Sequence, residues 1–377
     1  MQDHLGFIWL GTKDGLTRYD GYRFRVFKHD AADPMSIGNN FIRVLYEDAD
    51  GLIWIGTNVG VYIYNPETEN FRKFDVATER GDVISREVSS IKCDSSGDLW
   101  IGVNWQGVFR YDRRDESLEL YEPVPGDTTS LSSVHVWDLC FDGDGNLWVG
   151  SQNGGLDRYD RETDRFVRHR LKGLSDVSRI VLDKQNQLLL GTMKDGLFSF
   201  NPYMGTCQPL LLDSGHKDLF VRAIFVRNSR EVVVGTENGI YIYDCVTRKT
   251  RHVNQELGNP YSLSCKAVYS IYCDKEGALW IGTYFGGVNY FNPLLSSVET
   301  FVPGNVPGML SGRAVGQFCE DPAGNLWIAT EDGGVNYFNT KTNWITQPIE
   351  TSYHNIQALL LLSLIHISEP TRHSLIS

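Results

Sequence analysis

The chain has 377 residues, a formal net charge of −12 and 41% hydrophobic content, with 12% aromatics and 37 glycines. That balance excludes a phosphate-binding surface for nucleic acid or an anionic membrane, because no basic stripe interrupts the acidic background. Neither a leader peptide nor a membrane-spanning run is expected within these residues, the stretch from Ala358 to Ile367 being short and broken by Ser363 and His366.

One pattern recurs along almost the whole chain, centred on Gly11, Gly56, Gly102, Gly150, Gly191, Gly235, Gly282 and Ala329. Neighbouring centres are 45, 46, 48, 41, 44, 47 and 47 residues apart. Eight residues before the centre stands Asp in every copy except the sixth, which has Arg227. Two residues before it stands Trp (Trp9, Trp54, Trp100, Trp148, Trp280, Trp327), or Leu189 and Val233 in the remaining copies. A period in the forties made of short apolar runs and turn residues predicts an all-β chain of four-stranded antiparallel blades, a β-propeller.

Each copy is read in chain order. An innermost strand ends at the Asp, whose carboxylate accepts from turn amides while a following Gly supplies positive φ, making a hairpin such as "DADGLIW". The second strand alternates large and small residues ("WIGT") and turns at a second Gly. An aromatic strand follows, and a variable segment with an apolar pair, such as Phe71 and Phe74 or Val298 and Phe301, closes the blade. The tryptophans are assigned to the core, one large ring per blade filling the gap between twisted sheets.

The first copy reaches its Asp within two residues of Met1, so its innermost strand is expected to be missing. The last strand signal, "HNIQALLL" from His354, resembles the start of a further innermost strand, and residues 363–377 match nothing in the repeat. The expected division is 1–303 as a first propeller, 304–362 as an eighth blade or the start of a second propeller, and 363–377 as a tail of artefactual or disordered character. Seven blades, with the eighth copy opening a second ring, is the favoured count; a single eight-bladed ring is the alternative.

The strings "DGLIWIGTNVGVYIYN", "DGNLWVGSQNGGLDRYD" and "EGALWIGTYFGGVNYFN" resemble the two-component regulator propeller repeat, and "GFIWLGTKDGLTRYDGYRFRVF" is similar to the first repeat of hybrid two-component sensors of polysaccharide-degrading gut bacteria. The resemblance covers about residues 1–362. It implies a periplasmic sensor region that detects a glycan-derived oligosaccharide, forms a homodimer in the full-length protein, and signals through a histidine kinase and phosphorelay lying outside this chain.

Two loop positions break the small, polar rule of the turns after the second strand: Trp105 in "NWQG" and Tyr284-Phe285 in "YFGG". Exposed rings beside polar groups suit the faces of sugars, although packing onto neighbouring loops is the competing reading. A second set lies five residues before the repeat Asp, where Arg43, Ser89, Trp137, Ser178, Arg222, Tyr269 and Gly316 vary in type, with His135 nearby. The candidate ligand-binding residues are therefore Trp105, Tyr284, Phe285, Arg43, His135, Trp137, Arg222 and Tyr269. No cofactor, metal or catalytic residue is expected, since no GxSxG or HExxH occurs and "DGDGN" at 142–146 is a hairpin turn rather than a calcium loop. The seven scattered cysteines form no pairing framework, and His29, His169 and His252 are expected at the surface of fourth strands. The alternative function is a structural or protein-interaction propeller without a small ligand.

Overall fold

In a computed structural model, residues 1–171, 174–210, 219–256, 259, 261–293, 301–304, 306–349, 354–356 and 358–360 are described. They divide into two compact units, Met1–Pro293 and Leu294–Ser377.

Among the described residues the first unit holds seven antiparallel sheets, each a meander in chain order. The first has three strands, Ile8–Thr12, Gly15–Tyr19 and Phe24–Phe27, with Gln2 forming an isolated antiparallel bridge to Ile8. Five four-stranded blades follow, with innermost strands Ile42–Glu47, Val88–Cys93, Val136–Phe141, Arg179–Leu182 and Val221–Val226. The seventh shows Val268–Cys273, Leu279–Thr283 and Val288–Phe291. Of the pair expected to close it, Val298 lies outside the described residues, as does the 363–377 tail. Phe301 instead packs on Phe338 in the second unit, ring centroids 4.7 Å apart.

Successive innermost strands touch one another, and the seventh blade meets the first. Lys275 donates its Nζ to the carbonyl of Asp3 at 2.8 Å and its amide to Gln2 Oε1 at 2.8 Å, while Tyr19 and Trp280 bring their rings within 5.8 Å. The seven sheets of this unit thus run from first to last and back to the first.

The repeated residues explain the packing. Trp54 shares a core with Ile91, Ile101 and Phe109 of the next blade, and Trp9, Trp100 and Trp148 do the same one blade apart. Trp280 and Trp327 are only half-buried, against the expectation that all six are core. Trp280 faces a three-stranded first sheet, and Trp327 belongs to a unit with one described sheet.

The central Gly is small because the following blade leans on it. A Cβ at Gly56 would lie 2.7 Å from Val88 Cγ1, and Val136, Val177, Val221 and Val268 occupy the same place over the next four centres. At the second turn, Thr57 Oγ1 donates to the carbonyl of Gly60 at 2.8 Å, and Gly60 sits at φ +124°, which an L side chain rarely adopts.

Among the described residues the Leu294–Ser377 unit shows one sheet, Val315–Glu320, Leu326–Thr330, Gly334–Asn339 and Trp344–Thr346, over Leu310, Ile328 and Ile345. The strand expected from His354 does not form over the described residues there.

Candidate functional site at the mouth of the ring

The innermost strands carry an irregularity that places the variable residues. In six of the copies the ladder with the second strand skips one position, as between Ile42 and Val44, Val136 and Asp138, Val221 and Ala223, and Val268 and Ser270. The skipped residues there are Arg43, Trp137, Arg222 and Tyr269. A bulge leaves its extra residue out of the ladder and re-aims its side chain, which frees this slot from the core pattern.

Four of the sequence-derived candidates come together. Arg222 lies over the ring of Tyr269 at 4.5 Å and over Phe220 at 3.6 Å, and its Nε donates to Glu237 Oε1 at 2.7 Å. Tyr269 donates its hydroxyl to the same oxygen at 3.3 Å, with burial raising the phenol above its ordinary range. Tyr284 sits 5.0 Å from Tyr269 and 4.2 Å from Phe285, and the ammonium of Lys13 stands 3.7 Å above its ring. Phe285 is 85% exposed and Tyr284 36%. The result is an arc of rings and cations running from the sixth blade through the seventh to the first.

Trp137 and Arg43 extend it at either end. Phe220 is 6.0 Å from Trp137, whose buried Nε1 has no hydrogen-bond partner. Lys13 is 5.6 Å from Phe41, and Arg43 lies 5.0 Å over the same ring while pairing with Glu87 and donating to Asn58 Oδ1 at 3.1 Å. Trp105 and His135 form a separate pair, edge-on at 4.1 Å, with His135 Nδ1 3.2 Å from Asn104 Oδ1. No hydrogen bond or ring contact among the described residues joins that pair to the arc. Trp105 is 66% exposed at φ +70°.

Reading only the skipped slot misses the next residue, which faces the central Gly: Ser90, Asp138 and Arg179 in the third to fifth blades. Asp138 accepts from Ser90 Oγ at 3.0 Å and from the amide of Ile180 at 3.1 Å, linking three blades. The signal available in sequence is polarity at a position where other copies have Val44 or Ala223. The surface expectation also fails for His169, which packs at 4.9 Å from Trp148 and 5.7 Å from Phe200 with a buried, unpartnered Nε2. The "DGDGN" segment is a hairpin as expected: Asp142 Oδ1 accepts from the amides of Asp144 at 3.0 Å and Asn146 at 2.9 Å.

Radially ordered four-stranded meanders around such a mouth define a β-propeller. The sequence model of the two-component regulator propeller matches residues 36–59, 130–153, 262–285 and 309–332. In fold the chain is similar to the extracellular domains of two putative hybrid two component systems from B. thetaiotaomicron. The first is 24% identical with a TM-score of 0.69, over 94% of this chain and 53% of that one. The second is 20% identical with a TM-score of 0.67, over 92% and 50%. A 36-residue stretch is 42% identical to a protein described as histidine kinase P4 of Formosa agariphila, covering 10% of this chain and 3% of that protein. The chain therefore spans about half the length of the extracellular domains it matches.

Proposed function

We propose that the first unit is the ligand-sensing propeller of an extracytoplasmic, periplasmic sensor of the hybrid two-component class, and that it binds an oligosaccharide released from a complex glycan. The observation that carries this reading is the arc of Lys13, Tyr284, Phe285, Tyr269 and Arg222. Its exposed rings offer flat apolar faces to sugar C–H surfaces, and Glu237, Arg222 and Lys13 stand beside them for hydroxyls. Occupancy would shift the balance between two arrangements of a homodimer and so bias a kinase in the rest of a longer protein. The sheet of the second unit fits the role of a blade awaiting a neighbour: Phe318 is 60% exposed at a position where Leu139 and Ile224 of the first unit are buried.

Thermal-shift screening of the chain against fragments of plant, host and microbial glycans tests the function. One chemical class is expected to raise the melting temperature by mass action. No shift with any class, together with concentration-dependent self-association, would replace sensing with a scaffold role.

A further inference from the structure

Arg179 opens the innermost strand of the fifth blade opposite Gly191. Its Nε donates to the carbonyl of Arg222 at 2.7 Å, and Nη1 donates to those of Ser178 at 3.1 Å and Trp137 at 3.5 Å, so the guanidinium is clamped between the fourth and sixth blades. Nη2 makes no hydrogen bond to the described residues, and no carboxylate among them forms an ion pair with it. The contrast with its neighbours is informative. Arg43 is matched by Glu87 and Arg222 by Glu237. The carboxylate that acts on Arg179 electrostatically, Asp138 of the fourth blade, accepts from Ser90 and from the amides of Leu139 and Ile180 and makes no ion pair with it.

Burial pushes the Arg179 guanidinium below its usual range; Asp138 opposes this, while Arg222 and Arg43 push it further down. Arg43 stands on the second blade and Arg179 on the fifth, so this repulsion acts across the middle of the ring. Three guanidinium groups thus come within electrostatic range of one another around the axis, Arg43 and Arg222 ion-paired and Arg179 bonded to carbonyls. A half-buried guanidinium that is bonded only to carbonyls, with Asp138 acting on it at longer range, is incompletely compensated, and an incoming oxyanion adds a charge-assisted hydrogen bond. Next to it, the unpartnered Nε1 of Trp137 is a further donor lacking a protein acceptor.

We infer that Arg179 is the anchor of an oxyanion site in the axial channel, taking a carboxylate or sulfate ester carried by the sugar ligand; this rests on the ligand-sensing function proposed above.

Isothermal titration of the 377-residue chain at low salt separates the two ideas. The probes are uronic-acid oligosaccharides paired with their carboxyl-reduced forms, and sulfated disaccharides paired with their desulfated forms. One acidic member is expected to bind at least tenfold tighter than its neutral partner, and which pair shows this distinguishes carboxylate from sulfate. Arg179→Gln, which carries no charge, should erase the preference, so that the acidic and neutral members of the pair bind alike. Equal affinity within every pair would overturn the oxyanion site and leave ligand sensing standing, as would a preference that survives the substitution. Absence of binding by all probes would remove both. Should Arg179→Gln fail to fold, the pairwise comparison on the unmodified protein, together with Arg179→Lys retaining part of the preference, decides the matter.

Discussion

The Nε1 of Trp54 donates to Oδ2 of Asp48 at 2.8 Å inside the second blade, six residues along the chain. The same bond joins Trp9 to Asp3, Trp100 to Asp94, Trp148 to Asp142 and Trp280 to Asp274, at 2.7, 3.1, 2.8 and 2.8 Å. Oδ1 of Asp48 meanwhile accepts from the amides of Asp50 at 3.0 Å and Leu52 at 2.9 Å. One carboxylate thus closes the hairpin and satisfies the buried indole. It also reaches the adjacent blade: Arg113 lies 3.3 Å from Asp48, and Arg161 donates to Asp94 at 2.7 Å. Burial pushes the Asp94 carboxyl upward, but donors from Trp100, Ser96, Arg161 and Asp98 outweigh it and hold the group below its usual range.

Asp48→Ala should destabilise the chain by about 2–4 kcal/mol, because it orphans a buried indole donor, two turn amides and Arg113 together. Asp321→Ala should cost less, about 1 kcal/mol, since its turn holds a half-buried Trp327 and no indole bond to Asp321 is made. Urea unfolding of both variants makes the comparison, and equal losses would refute the assigned role of the indole bond.

Gly56→Ala should cost about 1–3 kcal/mol by overpacking, as its Cβ would fall 2.7 Å from Val88 Cγ1 and 2.9 Å from Val88 Cβ. Gly282→Ala should be close to neutral, because the nearest atom there, Ser270 Cβ, is 3.4 Å away. Melting temperatures of the two variants test whether the central Gly is set by the approach of the following blade.

Asp157 carries a pH signature. Burial raises its carboxyl from 3.8 to about 6, only partly offset by hydrogen bonding at Ser132 and by Arg168, and its Oδ1 has no partner. Between those values the folded state keeps a proton that the unfolded chain has lost, so this group's contribution to stability falls as pH rises from about 4 to about 6 and then levels. The equivalent Asn289 and Asn336 accept the same serine amide without charge, from Ser264 and Ser311. Asp157→Asn should therefore gain on the order of 1–3 kcal/mol at pH 8 and little at pH 4. Denaturation of both proteins at the two pH values gives the answer, a pH-independent difference being the contrary result.

Replacing Trp105 and Tyr284 together by Ala should leave the ligand-free stability within about 1 kcal/mol of the parent, since neither ring belongs to a blade core. The contacts divide their roles in binding: Tyr284 is part of the arc and Trp105 is not. Single variants are thus expected to show the ligand shift lost at Tyr284 and retained at Trp105. A double variant that does not fold would mark both rings as packing residues.

The repeat was legible in sequence because its constraints are local. A hairpin needs its Asp within a few residues of the amides it caps, and the strand period is two, so fixed offsets among Asp48, Trp54, Gly56 and Gly60 are enough to write the blade. The aromatic loop residues Trp105, Tyr284 and Phe285 were visible for the same reason, as departures from a short motif. What no offset could convey is which blades face each other. The bond from Lys275 to Asp3 spans 272 residues, the arc from Lys13 to Tyr284 depends on the seventh blade meeting the first, and the bonds that hold Arg179 run to carbonyls of Trp137 and Arg222 on the blades on either side. The amino-acid order alone determined the blade and its repetition; ring closure in three dimensions decided which side chains share the mouth, because charge and stacking act through distance in space and take no account of separation along the chain.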